Sequence, residues 1–170
     1  MNKLMTYSSF PLRYVLISNA VSLAIYALGA AVVTAVGWWA VAAYLLYCLG
    51  VEFNVLARSC VDCAYYGKTC AFGKGKVCAL LFNRGDPKRF AAREVSWRAL
   101  IPDFLVVLIP VIVGGAMLVI DFVWWRAVLM AALIFVSFAG NAFVRSSFAC
   151  RYCRQREIGC PAEKLFSKGA

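Results

Sequence analysis

Four long stretches of this sequence are almost free of charge. Tyr14 to Val36 has none, Ala40 to Ala57 has only Glu52 near its end, and Phe104 to Ile120 and Val128 to Val144 have none. A helix rises about 1.5 Å per residue and a bilayer's hydrocarbon core is about 30 Å thick, so about 20 apolar residues cross it. Each stretch is long enough. Gly37, Trp38 and Trp39 separate the first pair, and the segment Asp121 to Arg126, with Trp124 and Trp125, separates the second. Connectors this short predict two tight hairpins. Tryptophan favours the headgroup zone, being apolar with one polar N–H, so both pairs mark the same membrane face.

Composition agrees with a membrane setting. The chain is 64% hydrophobic and 15% charged, against about a quarter charged in soluble domains. A secretory signal is a poor reading of the first stretch, which exceeds a normal apolar signal region and is followed at once by a second span. Orientation follows from the cations. Of 18 Lys and Arg, only Arg126 lies between the hairpin arms, and all others lie before the first span, between Arg58 and Arg98, or after Arg145. The positive-inside bias therefore predicts a multi-pass cell-membrane protein with both termini cytoplasmic. The net charge of +10 is then explained by topology and by attraction to anionic lipid headgroups, and no nucleic acid is expected.

The sequence repeats itself. A shift of 90 residues lays Cys60, Cys63 and Cys70 on Cys150, Cys153 and Cys160, so C-x2-C-x6-C follows each even-numbered span, and Gly50 and Phe53 fall on Gly140 and Phe143. The expected architecture is all-α: four transmembrane helices in two tandem repeated hairpins, related by an axis along the membrane normal, with a cysteine-rich cytoplasmic cap. In domain terms, 1–85 is a hairpin with its cysteine cluster, 86–101 an interfacial amphipathic linker, and 102–170 the second hairpin with its cluster, all within one membrane domain. In the linker, Asp86 and Pro87 form a helix start. Phe90 and Trp97 would share an apolar face from Asp86 to Ala99, with Arg89, Arg93 and Arg98 near phosphates. A plain connector helix is the alternative.

The chain has no histidine, which excludes imidazole catalysis and leaves thiolates as the main metal ligands. A reducing cytoplasm disfavours structural disulfides and favours metal ligation or thiol redox chemistry. Cys60, Cys63, Cys70 and Cys78 could form one four-thiolate site, leaving Cys150, Cys153 and Cys160 a ligand short. Alternatively, Cys60, Cys63, Cys150 and Cys153 could share one ion across the halves. Pro161 after Cys160 echoes iron–sulfur ligand runs, although the preceding spacing does not match them. The cofactor reading is an iron–sulfur cluster or zinc. Cys48, within a span, reads as a small buried apolar residue.

Polar residues of the spans, among them Ser18, Asn19, Asn54 and Asn141, fall toward the cytoplasmic ends. Glu52 and Asp103 either pair with arginines at the interface or line an inward-facing polar pocket, with Glu52 as the candidate proton carrier. Gly67-Lys68-Thr69 echoes a phosphate loop, but Asp62 occupies the required upstream glycine position. Two function classes emerge: a membrane redox component passing electrons from cytoplasmic metal centres, and a non-enzymatic scaffold, stabilised by zinc, that binds lipid or a cytoplasmic protein. A small transporter is third and would need a homodimer, since four spans are few for transport.

Overall fold

The computed structural model describes residues 6–93 and 97–161, the side chain of Trp97 excepted. Within them the chain is helical. α1 is Leu12–Val33, α2 Trp38–Val55, α3 Lys74–Leu81, α4 Pro87–Ala92, α5 Trp97–Ile120, α6 Trp124–Phe135, α7 Asn141–Val144 and α8 Gln155–Ile158. Leu56–Cys60, Val136–Gly140 and Arg145–Ala149 are π-helical, so α2 continues to Cys60, and α6 and α7 form one run to Ala149. Four helices are long and apolar enough to cross a membrane: Leu12–Val33, Trp38–Cys60, Arg98–Ile120 and Trp124–Ala149. Lipid offers no partners for backbone N–H and C=O, and a helix satisfies them internally. The only β-type pairing among the described residues is an isolated parallel bridge between Tyr7 and Cys153.

Several boundaries differ from those expected. Both tryptophan pairs form the first residues of helices rather than connectors: Trp38 and Trp39 begin α2, and Trp124 and Trp125 begin α6. The first turn is Thr34 to Gly37, with Gly37 at φ 132° and the Thr34 hydroxyl donating to the Ala31 carbonyl at 2.6 Å. α5 starts upstream of Pro102 and Asp103, which lie inside it. The single linker helix over Asp86 to Ala99 is not formed. Asp86 does cap α4, its side chain accepting from Lys88 N, but the helix stops at Arg93, which is extended at ψ 137°. Glu94 lies outside the described residues, as does the Trp97 side chain, so the proposed Phe90–Trp97 face is not described.

The chain divides into two compact units. The second comprises Ala20–Glu52 and Arg98–Phe143. Its core includes Ile25, Val33, Tyr44, Cys48, Val106 and Leu133, and Cys48 is a buried apolar residue as expected. Pro110 has no N–H to give the Val106 carbonyl four residues back. Tyr44 replaces it, its hydroxyl donating to Val106 O at 3.0 Å. Gly29 makes room: a Cβ there would stand 2.2 Å from Tyr44 Oη. At Gly114 a Cβ would meet Met130 Sδ and Val32 Cγ1, each at 2.6 Å, so α5 approaches α1 and α6 closely. The repeat-related glycines differ, since a Cβ at Gly50 would meet nothing within 4 Å while one at Gly140 would touch Val21.

Arg126 has a structural task. It is 7% exposed, and Nη1 donates to the carbonyls of Met117 at 3.3 Å and Asp121 at 3.1 Å. These carbonyls lie at the end of α5, where the helix dipole favours a cation; Met117 O also accepts from Asp121 N at 2.9 Å. In the same unit Tyr26 Oη donates to Glu52 Oε1 at 2.5 Å, a partner other than the arginines expected for it.

Candidate functional site

The other unit comprises Met1–Asn19, Phe53–Trp97 and Val144–Ala170, and it contains all seven repeat-related and neighbouring cysteines. Cys60 ends one π-helical segment and Cys150 directly follows another. Cys63 N donates to Cys60 O at 3.3 Å, and Cys153 N to Cys150 O at the same distance. The turns then continue alike, with Tyr66 N bonded to Cys63 O at 3.0 Å and Arg156 N to Cys153 O at 3.2 Å. Residues 66 and 156 are again 90 apart.

The two loops are joined by a reciprocal pair of hydrogen bonds. Ala64 N donates to Gln155 Oε1 at 2.9 Å, and Arg154 N donates to Tyr65 Oη at 3.0 Å. Ala64 and Arg154 occupy equivalent positions of the repeat, as do Tyr65 and Gln155, so each loop's backbone is satisfied by the other loop's side chain. Both side chains are 2% exposed. Each is anchored a second time: Tyr65 Oη donates to Tyr7 O at 2.6 Å, and Gln155 Nε2 donates to Gly159 O at 3.1 Å. A search for repeated residue types passes over this pair because tyrosine and glutamine differ. The available signal was positional: each stands two residues after the second cysteine of its triad.

The sulfurs sit in opposing influences. Burial pushes the Cys63 thiol up, opposed by the nearby backbone N–H groups of Tyr65 and Ala64. Burial pushes Cys153 up to about 12, opposed by the Gln155 N–H. Thiol neighbours add to the upward push, Cys70 and Cys160 at Cys63, and Cys63, Cys150 and Cys160 at Cys153. Cys63, Cys153 and Cys160 from the two halves therefore lie within electrostatic range of one another. Cys60 lies in range of Cys70, Cys78 and Cys63. Cys78 is fully buried, burial raises its pKa, and its thiol faces Leu56 O at 3.6 Å. All eight cysteines are free thiols. Among the described residues, no three His, Cys, Asp or Glu side chains are gathered into a set that could hold a metal ion.

α3 rests directly on the first loop. A Cβ at Gly75 would stand 2.1 Å from Tyr65 O and 2.4 Å from Lys68 O. Asp62, inside the first C-x2-C, is 5% exposed and was not singled out by sequence. Its Oδ1 accepts from Asp86 N at 3.0 Å, and its Oδ2 pairs with Arg93 Nη2 at 2.5 Å. A buried carboxylate needs such partners, and these lie at the two ends of α4. The reach of Arg93 to Asp62 accounts for the end of α4. On the second-half side, a Cβ at Gly159 would be 3.0 Å from Ala91 Cβ, so the linker is tied to both cysteine loops.

Comparison with known protein families, curated proteins and solved structures gives no match.

Proposed function

We propose that this chain is a multi-pass integral membrane protein of two repeated hairpins, whose cysteine-rich cytoplasmic cap binds a thiophilic metal through thiolates from both halves. The observation that carries the reading is the paired environment of Cys63 and Cys153. Each loop is held by a side chain of the other, and the two thiols lie within electrostatic range of each other. The metal reading extends to Cys60, Cys70, Cys78, Cys150 and Cys160 as further ligands or neighbours. The thiols are not gathered into a ready ligand set; to hold a metal they would have to be deprotonated, against the burial that retains their protons.

Zinc would make the centre a staple between the halves, in a scaffold that binds lipid or a cytoplasmic partner. An iron–sulfur cluster would make it a one-electron carrier, and the Tyr26–Glu52 hydrogen bond favours that second reading by supplying a proton-carrying pair to accompany the electron. The cytoplasmic orientation rests on 17 of 18 cations flanking the spans on one side. Impermeant thiol reagents applied to intact cells should leave Cys70 and Cys160 unlabelled.

The test of the metal is anaerobic purification with metal analysis and a visible spectrum. Iron with charge-transfer absorption supports the redox form, and colourless zinc supports the staple. Cys63→Ser and Cys153→Ser should lower bound metal alike if the site is shared. Neither iron nor zinc, with freely titrating thiols, overturns the proposal.

A further inference from the structure

α3 exposes apolar residues that the cysteine chemistry does not use. Its buried side carries Gly75 and Cys78, and its other side exposes Val77, Leu80 and Leu81 at 46%, 85% and 57%. At about 100° per residue these three fall within a single arc of the helix. Lys74 and Lys76 fall on the two opposite margins of that arc. Lys74 Nζ lies 6.0 Å from the centre of the Phe72 ring, and Lys76 is exposed. An apolar arc bordered on both sides by lysines is the form of a helix lying in the headgroup plane, with stems along the apolar boundary and ammonium groups among phosphates.

α2 also exposes apolar side chains. On α2, a helix apolar and long enough to cross a membrane, Leu46, Leu49 and Phe53 are exposed at 68%, 65% and 54%, spaced three and four residues apart along one face. Phe53, the residue of that face nearest the cytoplasmic end, packs against Phe82 with ring centroids 5.2 Å apart. Phe82 directly follows Leu81. An exposed aromatic ring of α2 thus packs against the residue that follows α3.

We propose that α3, rather than the linker around α4, is the interfacial helix of this protein: Val77, Leu80 and Leu81 enter the acyl boundary of an anionic leaflet, with Lys74 and Lys76 on its phosphates. α4 lacks a comparable face, being six residues long and tied to the cysteine loops. Because Cys78 lies on the opposite side of α3, lipid contact presses this thiol and its neighbours into the first cysteine loop.

The test places an environment-sensitive fluorescent amino acid at position 80, and separately at position 88 of α4, in the full-length protein. The protein is reconstituted in vesicles of equal parts phosphatidylcholine and phosphatidylglycerol. Quenching by lipids spin-labelled near the headgroup is compared with quenching by aqueous iodide. The ratio of lipid to iodide quenching should be at least about threefold higher at position 80 than at 88. Equal ratios overturn the proposal. Protection of position 80 from both quenchers, with emission that changes with protein-to-lipid ratio, assigns the face to a second copy of the chain and also overturns it. The probe sits at an exposed position, so loss of folding does not confuse the outcome, and the result is independent of metal content.

Discussion

Replacing Gln155 by leucine should loosen the opposite half of the protein more than its own. The substitution keeps nearly the same volume but removes the oxygen that accepts from Ala64 N at 2.9 Å and the amide that donates to Gly159 O. Gln155 is almost wholly buried, and Ala64 is partly so. A buried group left without its partner costs about 1–3 kcal/mol. A loss of about 2 kcal/mol raises the opening equilibrium of the first loop about thirty-fold. The assay is alkylation of native thiols in detergent, read at each cysteine by mass spectrometry. Cys63, which lies beside Ala64, should react faster by about that factor, while Cys153, adjacent in sequence to the mutated region, should change by less than about threefold. Tyr65→Phe should do the converse, exposing Cys153 through the loss of the bond from Arg154 N. Its effect should be smaller, about 1 kcal/mol, because the Arg154 backbone is more open to water. In the double variant the two costs should couple by about 1 kcal/mol, since either break separates the same pair of loops. If Gln155→Leu exposes Cys153 and not Cys63, or if the double variant is strictly additive, the reciprocal cap is not what joins the halves.

Three further outcomes follow from the packing and the thiols. Gly75→Ala, whose Cβ would meet only backbone oxygens of Tyr65 and Lys68, should destabilise the chain by about 3 kcal/mol or more, whereas Gly115→Ala, with nothing within 4 Å, should be close to neutral in detergent thermal unfolding. Tyr44→Phe leaves the Val106 carbonyl unpaired and should cost about 1–3 kcal/mol. Gly29→Ala should cost less in the Tyr44→Phe background than alone, because the hydroxyl it strikes is gone. The metal-free protein should be destabilised as pH rises from about 9 to about 12. The Cys153 proton is held to about 12 in the fold, against an ordinary value of 9.0, and in that window the unfolded chain ionises first. The metal-loaded form should instead lose stability on acidification, as protons displace the ion; denaturant titrations at several pH values separate the two forms.

The four spans were legible in the sequence because an uncharged run of some twenty residues has few alternatives in a membrane. The ends of the helices were not. The tryptophan pairs mark an interface, yet an indole at an interface can end a connector or begin a helix, and here both pairs begin one. The linker pattern contained a genuine N-cap at Asp86, but the periodicity of Phe90 and Trp97 could not reveal that Arg93 would leave the helix to meet Asp62. Arg126 was visible as the odd cation and took its meaning only from the carbonyls at the end of α5. Of the site, the cysteines were evident by spacing, while Tyr65, Gln155 and Asp62 depend on contacts between distant segments that no local pattern encodes.

The short segment before α1 ties together parts of the chain made at very different times. Tyr7 N bonds to Tyr152 O, Phe10 N to Thr69 O, and the Thr6 hydroxyl to Glu157 Oε1 across a sequence separation of 151 residues. During synthesis this segment emerges before the four apolar helices, and Glu157 follows Thr6 by 151 residues. The four apolar helices must therefore be made while the cysteine loops are still apart. Closure of the loops on each other waits for the second of them, and a chain arrested before Arg154 and Gln155 would leave Ala64 and Tyr65 without the partners that hold the first loop.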